Sequence, residues 1–258
     1  MSITLETKTW ENDWELVVNH QFLRTVMERF KQHADKRVLF INNVLNPSVV
    51  ARAADRLIAN EIIDEYIFVS QHADNALEHF GLSREALGKG YNYSIAELVS
   101  IFLCSTKYLA HFSSDTTITE DVAPHWLSDA TSLLAERGEV SVVNLTWDQK
   151  YSEALKDSDY QDDNYFYGYG FSDQMYVIEV EEFNKKIYDF EHPASERYPK
   201  YAGALFEKRV DSYMRVNARI RATYRHASYI HKNFPKPNTI RRWIRTQLNK
   251  PKKLNGGE

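Results

Sequence analysis

The sequence predicts an α/β protein built on a largely parallel sheet with helices on both faces. Three observations carry this. Continuous apolar runs such as Val38-Leu39-Phe40-Ile41 suit strands buried on both faces. Segments with helical periodicity separate these runs. The two patterns alternate along most of the 258 residues, the order from which parallel sheets are assembled.

The elements follow in order. Asp13 to Ala34 carries Leu16, Val17, Phe22, Leu23, Val26 and Phe30 at mostly helical spacing and predicts a helix. "KRVLFINNV" is the first strand. "NPSVVARAADRLIANEII" is a helix started by Asn46 or Ser48. "DEYIFVS" is a strand, and "DNALEHFGL" a short helix ending at Gly81. "YNYSIAELVSIFLCST" is a helix for which Ser94 and Glu97 form a capping-box pattern. "KYLAHFSSD" is the third strong strand, and "APHWLSDATSLLAERG" a helix stopped by Gly138. "EVSVVNLTW" and "QMYVIEVEEF" are two more strands. The polar, Tyr-rich stretch between Asp148 and Asp173 predicts a long loop over the working face. Residues 201–231, with Phe206, Val210, Met214 and Ile220, predict one long helix.

Composition narrows the function. Hydrophobic residues are 43% and charged residues 26%, as in a folded globular chain. The net charge of −4 gives no bulk case for nucleic-acid binding. Cys104 is the single cysteine, so no internal disulfide forms and a reducing, cytoplasmic setting is expected. The N-terminus does not read as a signal peptide, and no apolar run reaches the roughly 18 residues of a membrane span. The segment 233–258 is basic and amphipathic, with Arg241, Arg242 and Arg245 around Trp243. It suits peripheral contact at the inner face of a membrane, and equally docking on its own domain or a subunit contact.

Open α/β sheets bind ligands beyond the carboxyl ends of their strands. That rule singles out Asn42-Asn43, the stretch Ser70 to Asp74, and Ser113-Ser114-Asp115.

The order of these elements resembles the GT-A fold of nucleotide-sugar-dependent glycosyltransferases, family 2-like, over roughly Arg37 to His231. The resemblance is strongest at "KYLAHFSSDTTI", "GFSDQMYVIEVEEF" and "GALFEKRVDSYMR". It implies a Rossmann-type mixed sheet in one catalytic domain, 1–232. Residues 35–120 would form the nucleotide half and 121–232 the acceptor half, with a helical C-terminal extension beyond. It also implies transfer of a sugar from a nucleotide-diphosphate donor to an acceptor hydroxyl, assisted by Mn²⁺ or Mg²⁺. A hard divalent ion on oxygen ligands offsets the charge of the departing diphosphate.

The family's strand-end Asp-X-Asp reads Ser113-Ser114-Asp115 here. Asp115 matches the metal-binding position, and Ser113 departs from the pattern because it has no carboxylate. By the same resemblance Asn42, Asn43, Asp74, Lys89, Ser113 and Ser114 would meet the nucleotide-sugar, and His231 would be a second metal ligand. Lys232 or Arg225 would meet the diphosphate. Glu207, at the start of a late helix, would be the base of an inverting reaction, or would position the acceptor in a retaining one. Asp211 lies one turn on, and Asp173, with Gln174 beside it, would contact acceptor or sugar. With the basic tail, the resemblance implies polysaccharide or surface-glycan synthesis on a glycan or lipid-linked acceptor.

Two alternatives stand beside it. A sugar-nucleotide nucleotidyltransferase would carry a Gly- and basic-rich loop after the first strand, which "INNVLNPSVV" lacks. A non-catalytic binding protein on the same fold would account for Ser113 as a mark of lost metal binding.

Overall fold

The computed structural model describes residues 2–19, 21–198 and 203–234. Its first strand is one that the sequence pattern does not announce. β1 (Ile3–Trp10) runs through "ITLETKTW", where Thr, Glu and Lys interrupt any apolar run, yet it lies inside the sheet with a parallel neighbour on each side. Ile3 and Leu5 enter the core on one face. On the other face Glu6 is bonded to His111, and Lys8 is paired with the buried Glu97. Charges inside a sheet are tolerated when each has a partner, and that pairing is what makes the strand look polar.

β2 (Lys36–Asn42), β3 (Glu65–Phe68) and β4 (Tyr108–Phe112) lie parallel to β1 in the order β3-β2-β1-β4. The sheet continues through β9 (Met175–Glu179), β6 (Val140–Trp147), β10 (Ile220–His231), β8 (Tyr165–Gly168) and β7 (Tyr160–Gln161). β9 is antiparallel to both neighbours, while β6 and β10 are parallel. β5 (Thr116–Ile118) pairs antiparallel with β10. The ten strands among the described residues therefore form one mixed sheet.

Period-two alternation splits the core. Leu39, Ile41, Tyr108, Ala110 and Val177 face one side with α2 (Gln21–Arg29), α3 (Pro47–Ala59) and α7 (Trp126–Glu136). Val38, Phe40, Leu109, Tyr176 and Ile178 face the other with α4 (Ala73–Phe80), α6 (Tyr91–Leu103) and α10 (Phe206–Val216). α3 begins as its sequence indicates: Asn46 Oδ1 accepts from Val49 N, and Pro47 opens the helix. Gly81 closes α4 at φ 70°, the left-handed cap that glycine adopts at least cost.

Four expectations are corrected. The helix expected over Asp13 to Ala34 is two, α1 (Trp14–Asn19) and α2. Ser94 does not cap α6: the helix starts at Tyr91, after a 3₁₀ turn at Gly88–Gly90, and Ser94 Oγ accepts from Phe206 N. The expected loop between Asp148 and Asp173 contains α8 (Tyr151–Lys156), β7 and β8. The long helix of 201–231 stops at Val216. Ala218 takes φ 52°, and the chain turns into β10, where Ile220 and Ala222 alternate with Arg221 and Thr223. A helix of that length would have left the centre of the second half-sheet unfilled. α5 (Arg84–Leu87) and α9 (Val180–Phe183) are short connectors. The basic stretch of the C-terminal extension, 235–258, lies outside the described residues, as do 199–202.

Candidate functional site

The loop after β4 is where the sheet and the chemistry meet. Thr116 N donates to Ser113 O at 3.0 Å, which closes the turn, and β5 then runs back along β10 with Thr116 opposite His231. That pairing brings His231 Nε2 to 2.9 Å from Asp115 Oδ2 across 116 residues of chain. Burial opposes ionisation of Asp115, but hydrogen bonds from His231 and Ser113 and the imidazole charge outweigh it. The carboxyl therefore sits below its ordinary range. The hydrogen bond to Asp115 in turn raises the His231 pKa against its burial.

Ser113 is buried, and its hydroxyl lies 3.0 Å from Asp115 Oδ1, 2.9 Å from Gln174 Oε1 and 2.7 Å from Thr116 Oγ1. It has one proton to donate, so it links the turn to Gln174 and Asp115 rather than supplying charge. Ser114 Oγ donates to Asp13 Oδ2 at 2.6 Å. Asp13 is a carboxylate that the sequence reading passed over. Burial pushes it up to about 6 against hydrogen bonds from Ser114, Thr9 and Trp10.

A cavity of about 420 Å³ opens beside this turn. Asn42, Lys89, Ser113, Ser114, Asp115, Asp173 and His231 line it, which brings together residues expected at the nucleotide, the metal and the acceptor, and so do Lys8, Trp10 and Tyr93. Asn42 Nδ2 donates to Asn92 O at 2.8 Å, which ties the end of β2 to α6. Trp10 and Tyr93 are both partly exposed, with ring centroids 6.4 Å apart. The sequence reading missed both: Trp10 ends β1, and an unrecognised strand hides its own end. Asn43 and Asp74 are exposed and do not line this cavity. Asn43 takes φ 47° in the turn after β2, and Asp74 stands in the first turn of α4.

A second cavity, about 510 Å³, meets the first at Gln174 and His231. Glu207, in the first turn of α10, forms part of its wall. Burial and the nearby Asp173 push Glu207 up to about 8, against Lys8 and Arg197. A carboxyl near neutrality is suited to exchange a proton with a substrate hydroxyl. Asp211 is different in kind. It is fully buried, accepts from Ser195 Oγ at 2.5 Å and pairs with Arg215 at 2.8 Å, so it braces the helix. Arg225 holds Asp162 O and His192 caps a 3₁₀ turn, both away from the cavities. Lys232 donates its backbone N–H to Asp115 O at 2.9 Å.

The Asp115–His231 pair offers a carboxylate and an imidazole that could hold a cation. No cluster of three or more His, Cys, Asp or Glu is so placed among the described residues. The carboxylate suits Mg²⁺ or Mn²⁺ completed by water and phosphate, whereas the imidazole suits the softer Mn²⁺ better than Mg²⁺.

No protein-family model matches this chain, and no curated protein matches it. Solved structures do. Glucosyl-3-phosphoglycerate synthase from Mycobacterium tuberculosis, in complex with Mg²⁺ and uridine diphosphate, superposes with a TM-score of 0.51 at 14% identity, over 91% of this chain and 72% of that one. The same enzyme with Mn²⁺, uridine diphosphate and glucosyl-3-phosphoglycerate also gives 0.51 at 14%, over 91% and 73%. The fold is GT-A-like. A further mycobacterial protein matches at 0.50 and 13% identity, over 91% of this chain and 68% of its own. Among the described residues no helix is long and apolar enough to cross a membrane.

Proposed function

We propose that this chain transfers a glycosyl group from a nucleotide-diphosphate sugar to an acceptor hydroxyl. The observation that carries the reading is the junction of the two cavities. His231 lines both a pocket rimmed by Trp10 and Tyr93 and a pocket walled by Glu207, and it is bonded to Asp115 in the first.

The first pocket takes the donor. Its aromatic rim suits a nucleobase, and Asn42 and Lys89 offer polar contacts to the ribose and phosphates. A divalent ion on Asp115 and His231 would neutralise charge on the departing diphosphate. Ser113 and Ser114 hold the turn that presents Asp115. Glu207 accepts the proton of the acceptor hydroxyl, and its raised pKa gives it enough basicity to do so near pH 8. Asp173 lines the first pocket and raises the pKa of Glu207, which suits it to orient the transferred sugar or the acceptor. The solved enzymes of this fold support the donor side, since they hold uridine diphosphate with Mg²⁺ or Mn²⁺.

A glycan acceptor in polysaccharide or surface-glycan synthesis is the setting that the fold resemblance suggests. The membrane role of the basic tail falls on residues outside those described. A nucleotidyltransferase is disfavoured because the segment after β1, Glu11-Asn12-Asp13, has neither glycine nor a basic residue to cradle a triphosphate. Thermal shift with uridine and guanosine diphosphates, with and without Mn²⁺, followed by a nucleotide-release screen of sugar donors, tests the reading. A diphosphate that stabilises the protein only with Mn²⁺ is expected. No metal-enhanced shift with any diphosphate would sink it. Nucleotide release should be lost in Asp115→Ala; retained release would remove Asp115 from the site, and no release by the native protein with any donor would return the chain to the non-catalytic alternative.

A further inference from the structure

Two arginines in the second cavity are built in a way that stability alone does not require. Arg221 projects from β10 with only 7% of its side chain exposed, and its Nε has no hydrogen-bond partner. Arg197 ends the 3₁₀ turn Pro193–Arg197. Both guanidinium groups converge on the space beside Gly170. A Cβ there would meet Arg197 Nη2 at 2.6 Å and Arg221 Nη1 at 2.7 Å, and the backbone sits at φ 139°, a conformation open to glycine. Glycine is therefore what lets two cations share this space.

One carboxylate answers them both. Asp157 accepts from Arg197 Nη1 at 3.3 Å and from Arg221 Nη2 at 3.0 Å. Asp211 Oδ1 adds a longer ion pair, 3.8 Å from Arg197 Nη2, while its Oδ2 is taken by Ser195 and Arg215. Asp148 also lines the cavity, with its Oδ1 bonded to His231 N. Each guanidinium carries five N–H donors in a fork that matches carboxylate or phosphate oxygens. Asp157 uses one donor from each, so donors remain on both. Arg221 also stacks over Trp147, which fixes its plane. On the neighbouring wall Tyr198 Oη donates to Phe171 O at 2.8 Å and so holds the segment from which Gly170 extends.

We propose that the acceptor carries an anionic group, a phosphate or a carboxylate, that Arg197 and Arg221 hold while its hydroxyl faces Glu207. This rests on the reading of Glu207 as the acceptor-side carboxyl. It goes beyond that reading by naming the acceptor's chemistry.

Calorimetric titration with glucose, glucuronate and glucose 6-phosphate tests it, each run with and without uridine diphosphate and Mn²⁺. At least one charged sugar should bind about tenfold or more tightly than glucose, and the two charged arms separate carboxylate from phosphate. The preference should fall to within about twofold in Arg221→Gln and in Arg197→Gln, with nucleotide binding unchanged in both. Arg221 is buried, so if its variant fails to fold, Arg197→Gln decides alone. Equal binding of neutral and charged sugars by the native protein, or an undiminished preference in Arg197→Gln, overturns the proposal. Loss of nucleotide binding instead overturns the donor reading, because the sugar comparison is also read without nucleotide.

Discussion

Replacing Glu207 with glutamine keeps the shape of the side chain and removes its ability to take a proton. Two opposite effects should follow. Glu207 is displaced from an ordinary 4.5 to about 8, chiefly by burial and then by Asp173. The folded protein therefore keeps a proton that the unfolded chain releases across this window, and stability falls as pH rises from 4.5 to about 8. Each pH unit of displacement is worth roughly 1.4 kcal/mol. Discounted for the solvent that reaches a half-buried side chain, ionising Glu207 costs on the order of 2–3 kcal/mol. At pH 9 the Glu207→Gln protein should be more stable than the native one by about that amount, and at pH 4 the two should be equal. Transfer should fall by roughly 10²–10⁴, the usual worth of a general base. The native rate should climb with pH toward a plateau above 8, and the residual rate of the variant should not. Urea unfolding at the two pH values gives the first result, and nucleotide release in the presence of acceptor the second. An unchanged rate with an unchanged pH profile would refute the base assignment. Equal stability at pH 9 would refute the electrostatic account of the site.

Trp10→Ala should fold normally, since Trp10 is 37% exposed, and should weaken uridine diphosphate binding by roughly tenfold or more, the worth of about 1–3 kcal/mol of base stacking. Calorimetric titration checks this, and unchanged affinity would remove Trp10 from the donor site. His231→Ala should abolish the extra thermal stabilisation that Mn²⁺ gives in the presence of the nucleotide. Ser113→Asp should lower the melting temperature without metal, because two carboxylates would then share the turn, and should tighten Mn²⁺ binding. A variant with unchanged metal affinity would show that Ser113 faces away from the ion. His111→Ala leaves Glu6 buried without its partner at 2.6 Å and should cost roughly 3 kcal/mol in urea unfolding.

Much of this was legible in the linear chain. The apolar runs of β2, β4, β6 and β9 marked themselves because strands covered on both faces exclude polar side chains. Asn46 and Gly81 marked the limits of α3 and α4 through backbone groups that only local residues can satisfy. Asp115 stood out because a carboxylate just past a buried strand has no role in packing. β1 was hidden because its polar residues are answered by Glu97 and His111, more than 85 residues away in sequence. β10 was hidden because arginines interleave its apolar positions and imitate a helical face.

The sequence by itself determined the alternation of layers, the turn that carries Asp115, and the caps of α3 and α4. These depend on neighbours within a few residues, where periodicity and capping act. Tertiary structure alone decided that His231 meets Asp115, that Trp10 and Tyr93 rim one cavity, that Asn43 and Asp74 stay outside it, and that two arginines share the space over Gly170. Each of these joins segments far apart in the chain. Strand register places them, and register is set by the whole sheet at once.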